Sequence, residues 1–310
     1  MAGIENIFKP SPGMRPRLAC EIRSEGVTAA RASAEKRGRT EMVLAFAPLA
    51  PGALTPGLKV PNLADAAAVA AALRQAVDAA GARDRNLTVV VPDAAARVLL
   101  LDFDTLPARR HDALPVVKFR LRKMVPFDVE AASVSYQIMS QSAGEMSVLV
   151  TVMPGDVLAE YESAAREAGY EPGAVLPSTL AAAAALSADS TSLLVNQSQV
   201  SVTTAVTQGN EMLLHRTIDL SGDLPAGARE EEMAQAVITT LAWYEDTLRA
   251  TPDRLFYAGP GGAMAARQSR WLRFVDPAPP VEDVVAPPHV SSVDRIPEGL
   301  AAGVTGALAR

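Results

Sequence analysis

Asp102 and Asp104 are the carboxylate pair in this chain with a spacing that could do chemistry. Two acids two residues apart fall on one face of a strand, as general acid/base work would need. They stand beside the Leu106-Pro107 turn, however, where acids at this spacing are solvent-facing turn formers, and that is the preferred reading. The histidines, His111, His215 and His289, are far apart, and the single cysteine, Cys20, sits in an apolar run. That excludes an internal disulfide framework and a His/Cys metal cluster, so no metal site is expected. No GxxxxGK[ST], HExxH, GxSxG or paired CxxC occurs. Gly259-Pro260-Gly261-Gly262 follows an apolar run and reads as a left-handed turn opening a helix. Arg109, Arg110, Lys118, Arg120, Arg122 and Lys123 concentrate positive charge. Two readings fit them: a solvated helix face, or a patch for anionic lipid headgroups or an acidic partner.

The chain around these residues has 310 residues, 49% of them hydrophobic and 21% charged, enough to bury a sizeable core and more in keeping with two domains than one. A net charge of −6 and only 5% aromatic residues argue against nucleic-acid binding. The longest apolar runs, 66–73 and 180–186, are far short of the roughly 20 residues of a membrane span, so a soluble, cytoplasmic protein is expected. Residues 1–15 read as a flexible leader.

The element pattern is organised around Leu114 to Met139. Asp112 is positioned to cap a helix, with Pro115 in its first turn, and Val117, Leu121 and Met124 recur at helical spacing. Pro126 stops the helix, and Val134, Tyr136 and Ile138 alternate with polar residues as a strand does. On either side of this module the same order occurs twice. Strands 18–23, 27–32 and 41–47, a helix over 65–80 and a strand at 87–91 are matched by strands 192–196, 200–207 and 212–218, a helix over 229–248 and a strand at 254–258. Two β-β-β-α-β units predict an internal duplication and mixed sheets covered by helices. Further elements are a strand at 147–153, helices over 156–168, 177–186 and 297–309, and a proline-rich surface loop at 277–288.

A duplicated unit with a small α+β subdomain inserted in its first half resembles the actin/FtsA-like (RNase H-like) α/β fold. The sequence 125–128, V-P-F-D, followed by an acidic turn and the strand S-V-S-Y-Q-I-M at 133–139, is similar to the PilM family of type IV pilus assembly proteins. So are Val90-Val91-Pro92-Asp93, Leu99 to Leu101, Leu106-Pro107, Met153-Pro154, Glu160-Tyr161 and the stretch from Ala165 to Gly169. The resemblance implies a first actin-like subdomain of 16–92 with 177–190 and 290–310, an inserted subdomain of 93–176 and a second actin-like subdomain of 191–289.

It also implies where a nucleotide would sit: two turns that cradle phosphates with glycine and hydroxyl groups, and an aspartate that holds hydrated magnesium. The family's D-I-G-S-S-S corresponds to Glu21-Ile22-Arg23-Ser24-Glu25-Gly26, where arginine replaces glycine and Glu25 puts negative charge beside the phosphates. Its D-x-G corresponds to Asn196-Gln197-Ser198, without the aspartate or the glycine. Gly259, Gly261 and Gly262 match the turn that contacts adenosine. Arg23 would either hold a phosphate as a fixed cation or pair with Glu25 or another surface carboxylate. ATP is therefore a possible ligand of a degenerate site, with Arg23, Ser24, Gly26, Asn196, Ser198, Gly259, Gly261 and Gly262 as its remnants. No catalysis is expected.

By the same resemblance the partner is the cytoplasmic N-terminal peptide of a PilN-type bitopic membrane protein, with Phe119, Val125 and Phe127 as groove residues. Pilus motor ATPases would be further partners, and the protein would be peripheral at the inner membrane through its partners or its basic patch. Two other readings stay open: a nucleotide-dependent actin-like ATPase, and the cytoplasmic part of a type II secretion platform. That last relative normally continues into a membrane span, whereas this sequence stops at Arg310.

Overall fold

In the computed structural model, residues 16–32, 42–142, 144–186, 190–220, 225–284, 290–292 and 296–309 are described. The expected leader, the turn before the third strand and His289 lie outside them.

The first half begins with β1 (Leu18–Arg23), β2 (Gly26–Ala32) and β3 (Met42–Pro48), an antiparallel meander, followed by α1 (Ala66–Ala79) and β4 (Asn86–Val91), which returns parallel to β1. β1 is buried on both faces, with Leu18, Cys20 and Ile22 on one and Ala19, Glu21 and Arg23 on the other. Leu18, Cys20 and Ile22 meet Val69, Leu73 and Val77 of α1. The Asp65 carboxylate accepts from the Ala68 amide at 2.9 Å and so caps α1, and Gly81, at φ +72°, releases the chain at its other end.

Next come β5 (Arg97–Phe103), α2 (Arg110–Leu121), β6 (Ala132–Ser142), β7 (Glu145–Pro154), α3 (Gly155–Glu167), β8 (Glu171–Pro177) and α4 (Ser178–Ala183). The second half is β9 (Thr191–Gln197), β10 (Ser201–Gln208), β11 (Glu211–Asp219), α5 (Ala226–Leu248), β12 (Leu255–Ala258), α6 (Gly262–Gln268), β13 (Val281–Asp283), β14 (Val290–Ser292) and α7 (Ala302–Ala307).

The duplication holds strand by strand. One sheet runs β14-β3-β2-β1-β4-β8 and the other β11-β10-β9-β12-β13. From β3 and from β11 onward each has two antiparallel pairings followed by two parallel ones, and the first sheet adds β14, parallel to β3, without a counterpart in the second. Each unit therefore has a fifth strand that the pattern β-β-β-α-β lacked. Both fifth strands hide behind proline. β8 carries Pro172, Gly173 and Pro177, and β13 is three residues inside the stretch expected to be only a surface loop. Both are edge strands, where proline costs little because one row of backbone groups is unpaired anyway.

The middle sheet, β5-β7-β6, is antiparallel and has apolar contacts on both faces. Leu99 and Leu101, Val148, Val150 and Val152, with Val134, Tyr136 and Ile138, meet Val117 and Leu121 of α2. The opposite face offers Val98, Leu100, Met139 and Leu149 to Leu194, Ala205 and Met212 of the second half. The expected alternation in 134–138 is thus present: Val134, Tyr136 and Ile138 face α2, while of the polar residues between them Gln137 is buried and Ser135 exposed.

Three expected helix boundaries are corrected. α2 starts at Arg110 with Arg109 as its cap residue, so Asp112 lies within the first turn and Pro115 is the sixth helical residue. The helix continues past this proline because Ala113, Val117 and Leu121 stay buried on the sheet. It ends before Met124, which is 47% exposed, and Val125 takes the buried place expected for it. The expected helix at 177–186 is the shorter α4, since Pro177 still pairs in β8. The one at 297–309 is only α7, because Gly299 at φ +79° bends the chain against Gly259 first.

α4 and α7 pack so closely that a Cβ on Gly306 would come within 1.8 Å of the Ala181 carbonyl oxygen. Gly306→Ala should therefore cost about 1–3 kcal/mol of stability by overpacking, read as a lowered urea midpoint. An unchanged midpoint would contradict this packing.

Candidate functional site

The central parallel strands of both halves point their C-terminal ends at one place, the usual ligand crevice of an α/β sheet. β1 ends in Arg23, β9 in Asn196 and Gln197, β4 is followed by Asp93, and β8 is followed by Ser178 and Thr179. All but Gln197 are buried, and they form one polar network.

Arg23 is its centre. Nη1 donates to Glu21 Oε1 at 3.1 Å, to Asn196 Oδ1 at 3.3 Å and to Ser178 Oγ at 3.5 Å, and Nη2 donates to the Gln197 carbonyl. One guanidinium therefore ties β1 of the first half to β9 of the second. Glu21 also accepts from Ser178 Oγ at 2.6 Å and from the Gly303 amide at 3.1 Å. Gly303 must be glycine here, since a Cβ would stand 2.6 Å from Glu21 Oε2. Asp93 accepts from the Thr179 amide at 2.9 Å, from the Thr179 hydroxyl and from Asn196 Nδ2 at 3.2 Å. Asn196 thereby uses both ends of its amide, and the Tyr257 hydroxyl donates to Gln197 Oε1.

The electrostatics follow from burial. Desolvation pulls against the Arg23 charge, but Glu21, Glu25 and Asp93 outweigh it and raise its pKa. Burial also raises the Asp93 carboxyl above the usual range, against the Thr179 donors and the Arg23 charge. Cys20 is buried, and burial with neighbouring Glu21 pushes its thiol up, away from reactivity.

This corrects the expected partner of Arg23. Its main carboxylate is the buried Glu21, while Glu25 lies 3.8 Å from Nε. The residues present do not fit a triphosphate between β1 and β9. The guanidinium occupies that corner and its Nη groups are already shared among protein acceptors. The space left beside Arg23, Ser24, Asp93, Ser178 and Asn196 is about 10 Å³. That is room for about one water, where ligand sites hold roughly 300 Å³ or more.

The other sequence-derived site residues also have work inside the fold. A Cβ on Gly26 would meet the Ala47 carbonyl oxygen at 2.4 Å, so glycine there serves the pairing with β3. Ser198 Oγ accepts from the amides of Val200 and Ser201 at 3.3 and 3.0 Å and closes its own turn. Gly261 and Gly262 are left-handed, at φ +77° and +61°, and a Cβ on Gly259 would meet the Tyr257 hydroxyl at 2.6 Å. The Gly261 amide donates to Glu298 O at 3.0 Å, and the Ala263 amide to Asp283 Oδ1 at 2.7 Å. A separate opening of about 430 Å³ lies next to this turn, bounded by Gln197, Arg229, Glu230, Tyr257 and Pro260.

The three residues expected at a peptide groove are not brought together on one surface. Phe119 is 71% exposed, Val125 is buried under α2, and Phe127 is partly buried in the same cluster. Of the basic residues, Lys118 and Arg122 pair with Glu130 at 3.7 and 2.7 Å. Arg109, Arg110, Arg120 and Lys123 are exposed, with no ion pair among the described residues. Asp102 and Asp104 are both exposed, and Asp104 lies beyond the end of β5. Asp93, Ser178 and Thr179 were missed as site residues. Their signal was positional: each is a polar residue within two positions of the end of a parallel strand.

These sheets and this cleft define an actin-like ATPase fold. A Bacteroides thetaiotaomicron protein with that fold and unknown function is similar over 87% of this chain and 90% of its own, at a TM-score of 0.50 and 9% identity. A chain of a PilM-PilN type IV pilus biogenesis complex is similar over 96% of this chain and 98% of its own, at a TM-score of 0.74 and 19% identity. The resemblance to PilM read from the sequence is thus present in the fold. No protein-family model matches this chain, and no curated protein matches it. Among the described residues no helix is long and apolar enough to cross a membrane.

Two outcomes follow from the network. Arg23→Met leaves Glu21 buried and unpaired and should cost about 3–5 kcal/mol, with much of that restored when Glu21→Gln is added. Equilibrium denaturation measures both, and a neutral Arg23→Met would contradict the bridge. Because the folded pKa of Asp93 is raised, the stability it contributes is full below its unfolded pKa, about 4, and is lost as pH rises through the folded value. The stability of the natural chain relative to Asp93→Asn should therefore fall as pH rises from about 4 to about 7. A rise over that range would contradict the assignment.

Proposed function

We propose that this protein is an actin-like scaffold of a type IV pilus inner-membrane platform, with an internal ion pair in place of a working nucleotide site. It receives the cytoplasmic N-terminal peptide of a PilN-type membrane protein on its first half and insertion. Through that contact it connects the membrane-spanning assembly to the motor ATPases, and its position in the cell is cytoplasmic and peripheral at the inner membrane. The observation that carries this reading is Arg23, which stands where the resemblance expects a phosphate-binding glycine and is bonded to both halves. A cleft held by the protein's own cation does not require ligand turnover to stay assembled. The likeness to a chain of a PilM-PilN complex supports the choice of partner. The peptide would bind extended, by main-chain hydrogen bonds and a few apolar anchors.

A second reading, a nucleotide-dependent ATPase that switches between open and closed states, is favoured by the opening beside Gly259 and Pro260. Fluorescence anisotropy with a labelled N-terminal peptide of the PilN-type protein from the same genome separates the two. The scaffold reading expects saturable binding to nucleotide-free protein, with the same affinity after magnesium and ATP are added. Absence of binding overturns it. Binding that appears only with ATP, accompanied by phosphate release, assigns the protein to the second reading.

A further inference from the structure

We propose that the outer face of α2 is a membrane-docking surface that lies flat on a bilayer rich in anionic headgroups. This goes beyond the peptide-binding reading and does not rest on it.

Six large hydrophobic side chains are exposed among the described residues, and three of them are Val116, Phe119 and Met124, at 40%, 71% and 47%. They fall within nine residues: Phe119 lies on the side of the helix opposite Ala113, Val117 and Leu121, which are spent on the sheet beneath, Val116 lies on its flank, and Met124 stands in the turn just past the helix end. The helix and the turn after it therefore keep large apolar side chains that nothing among the described residues covers.

The charge around those side chains is positive in a protein whose net charge is −6. Residues 109–123 hold six cations against one carboxylate, Asp112. Arg109 and Arg110 stand at the start of the helix, and Arg120 and Lys123 stand among the apolar side chains. These four have no carboxylate partner among the described residues, whereas Lys118 and Arg122 are held by Glu130. The Arg122 guanidinium also rests over the Phe119 ring, 5.8 Å from its centroid.

This combination selects the occupant. A purely acidic, polar protein surface would answer the charges and leave Phe119 in water. A bilayer answers both at once: the apolar side chains enter the boundary between headgroups and acyl chains, and the long basic side chains reach back to the headgroups. The acidic remainder of the chain is repelled by the same surface, which fixes the orientation with α2 toward the membrane.

The test is sedimentation of the full chain with vesicles of equimolar phosphatidylglycerol and phosphatidylcholine, and with vesicles of phosphatidylcholine alone. Expected results are binding to the anionic vesicles only, a marked loss on raising salt from about 0.1 M to about 0.5 M, and a partition about tenfold or more weaker in Arg120→Glu with Lys123→Glu. Phe119→Ser should weaken binding about fivefold or more. All these side chains are exposed, so unfolding curves of the variants should match the natural chain. The proposal is overturned by absence of sedimentation, by equal binding to neutral vesicles, or by variants that bind as the natural chain does. Binding to soluble polyglutamate that survives Phe119→Ser, without vesicle binding, also overturns it and assigns the face to an acidic protein. The vesicles contain no membrane protein, so a failure of the peptide reading leaves this result standing.

Discussion

A guanidinium does not give up its proton inside a protein, so a buried arginine must be surrounded by acceptors that stay in place. In this protein the acceptors of Arg23 come from both halves. Glu21 and Ser178 belong to the first, and Asn196 and the Gln197 carbonyl to the second. Separating the halves would leave a buried ion without its partners, a cost of several kcal/mol. That constraint ties the two sheets to one relative placement at the cleft. Gly303 is one sign of it: α7 must present a bare backbone amide to Glu21, and only glycine leaves the room.

The polar bridge is reinforced by an apolar one. The inserted sheet turns one face to α2 and the other to the second half, where Met139 and Leu149 meet Leu194 and Met212. A subdomain that hung from the first half alone would leave the cleft free to open. This one spans it, and Arg97 with Asp219, 2.8 Å apart, adds an ion pair across the same boundary. Surface pairs of this kind contribute little energy. Its interest is geometric, since it joins β5 to the end of β11. Structural stability and the proposed scaffold role therefore rest on the same contacts.

The duplicated architecture was legible because strands such as Leu18–Arg23 and Leu255–Ala258 are apolar runs bounded by turn residues. The edge strands β8 and β13 were not, because Pro172, Gly173 and the prolines around Val281 look like loop. The start of α2 was misread for a related reason. Asp112 is a good cap residue, yet tertiary packing of Ala113, Val117 and Leu121 on the sheet accompanies a helix that starts three residues upstream and runs through Pro115. Within the site, the substitutions at Arg23 and Asn196 were readable one position at a time. That Arg23 would choose Glu21 over the nearer-surface Glu25 was not, because the choice depends on Ser178 and Asn196, which are 155 and 173 residues away in the chain. Asp93 joined the network unseen for the same reason.

The central claim is that the cleft is held by the protein itself. Hydrogen–deuterium exchange of the amides in β1 and β9, without and then with magnesium and ATP, tests it directly. The account predicts slow exchange of both strands in the free protein and no change when nucleotide is added. Rapid exchange that becomes slow only with nucleotide would show that a ligand, rather than Arg23, closes the two halves.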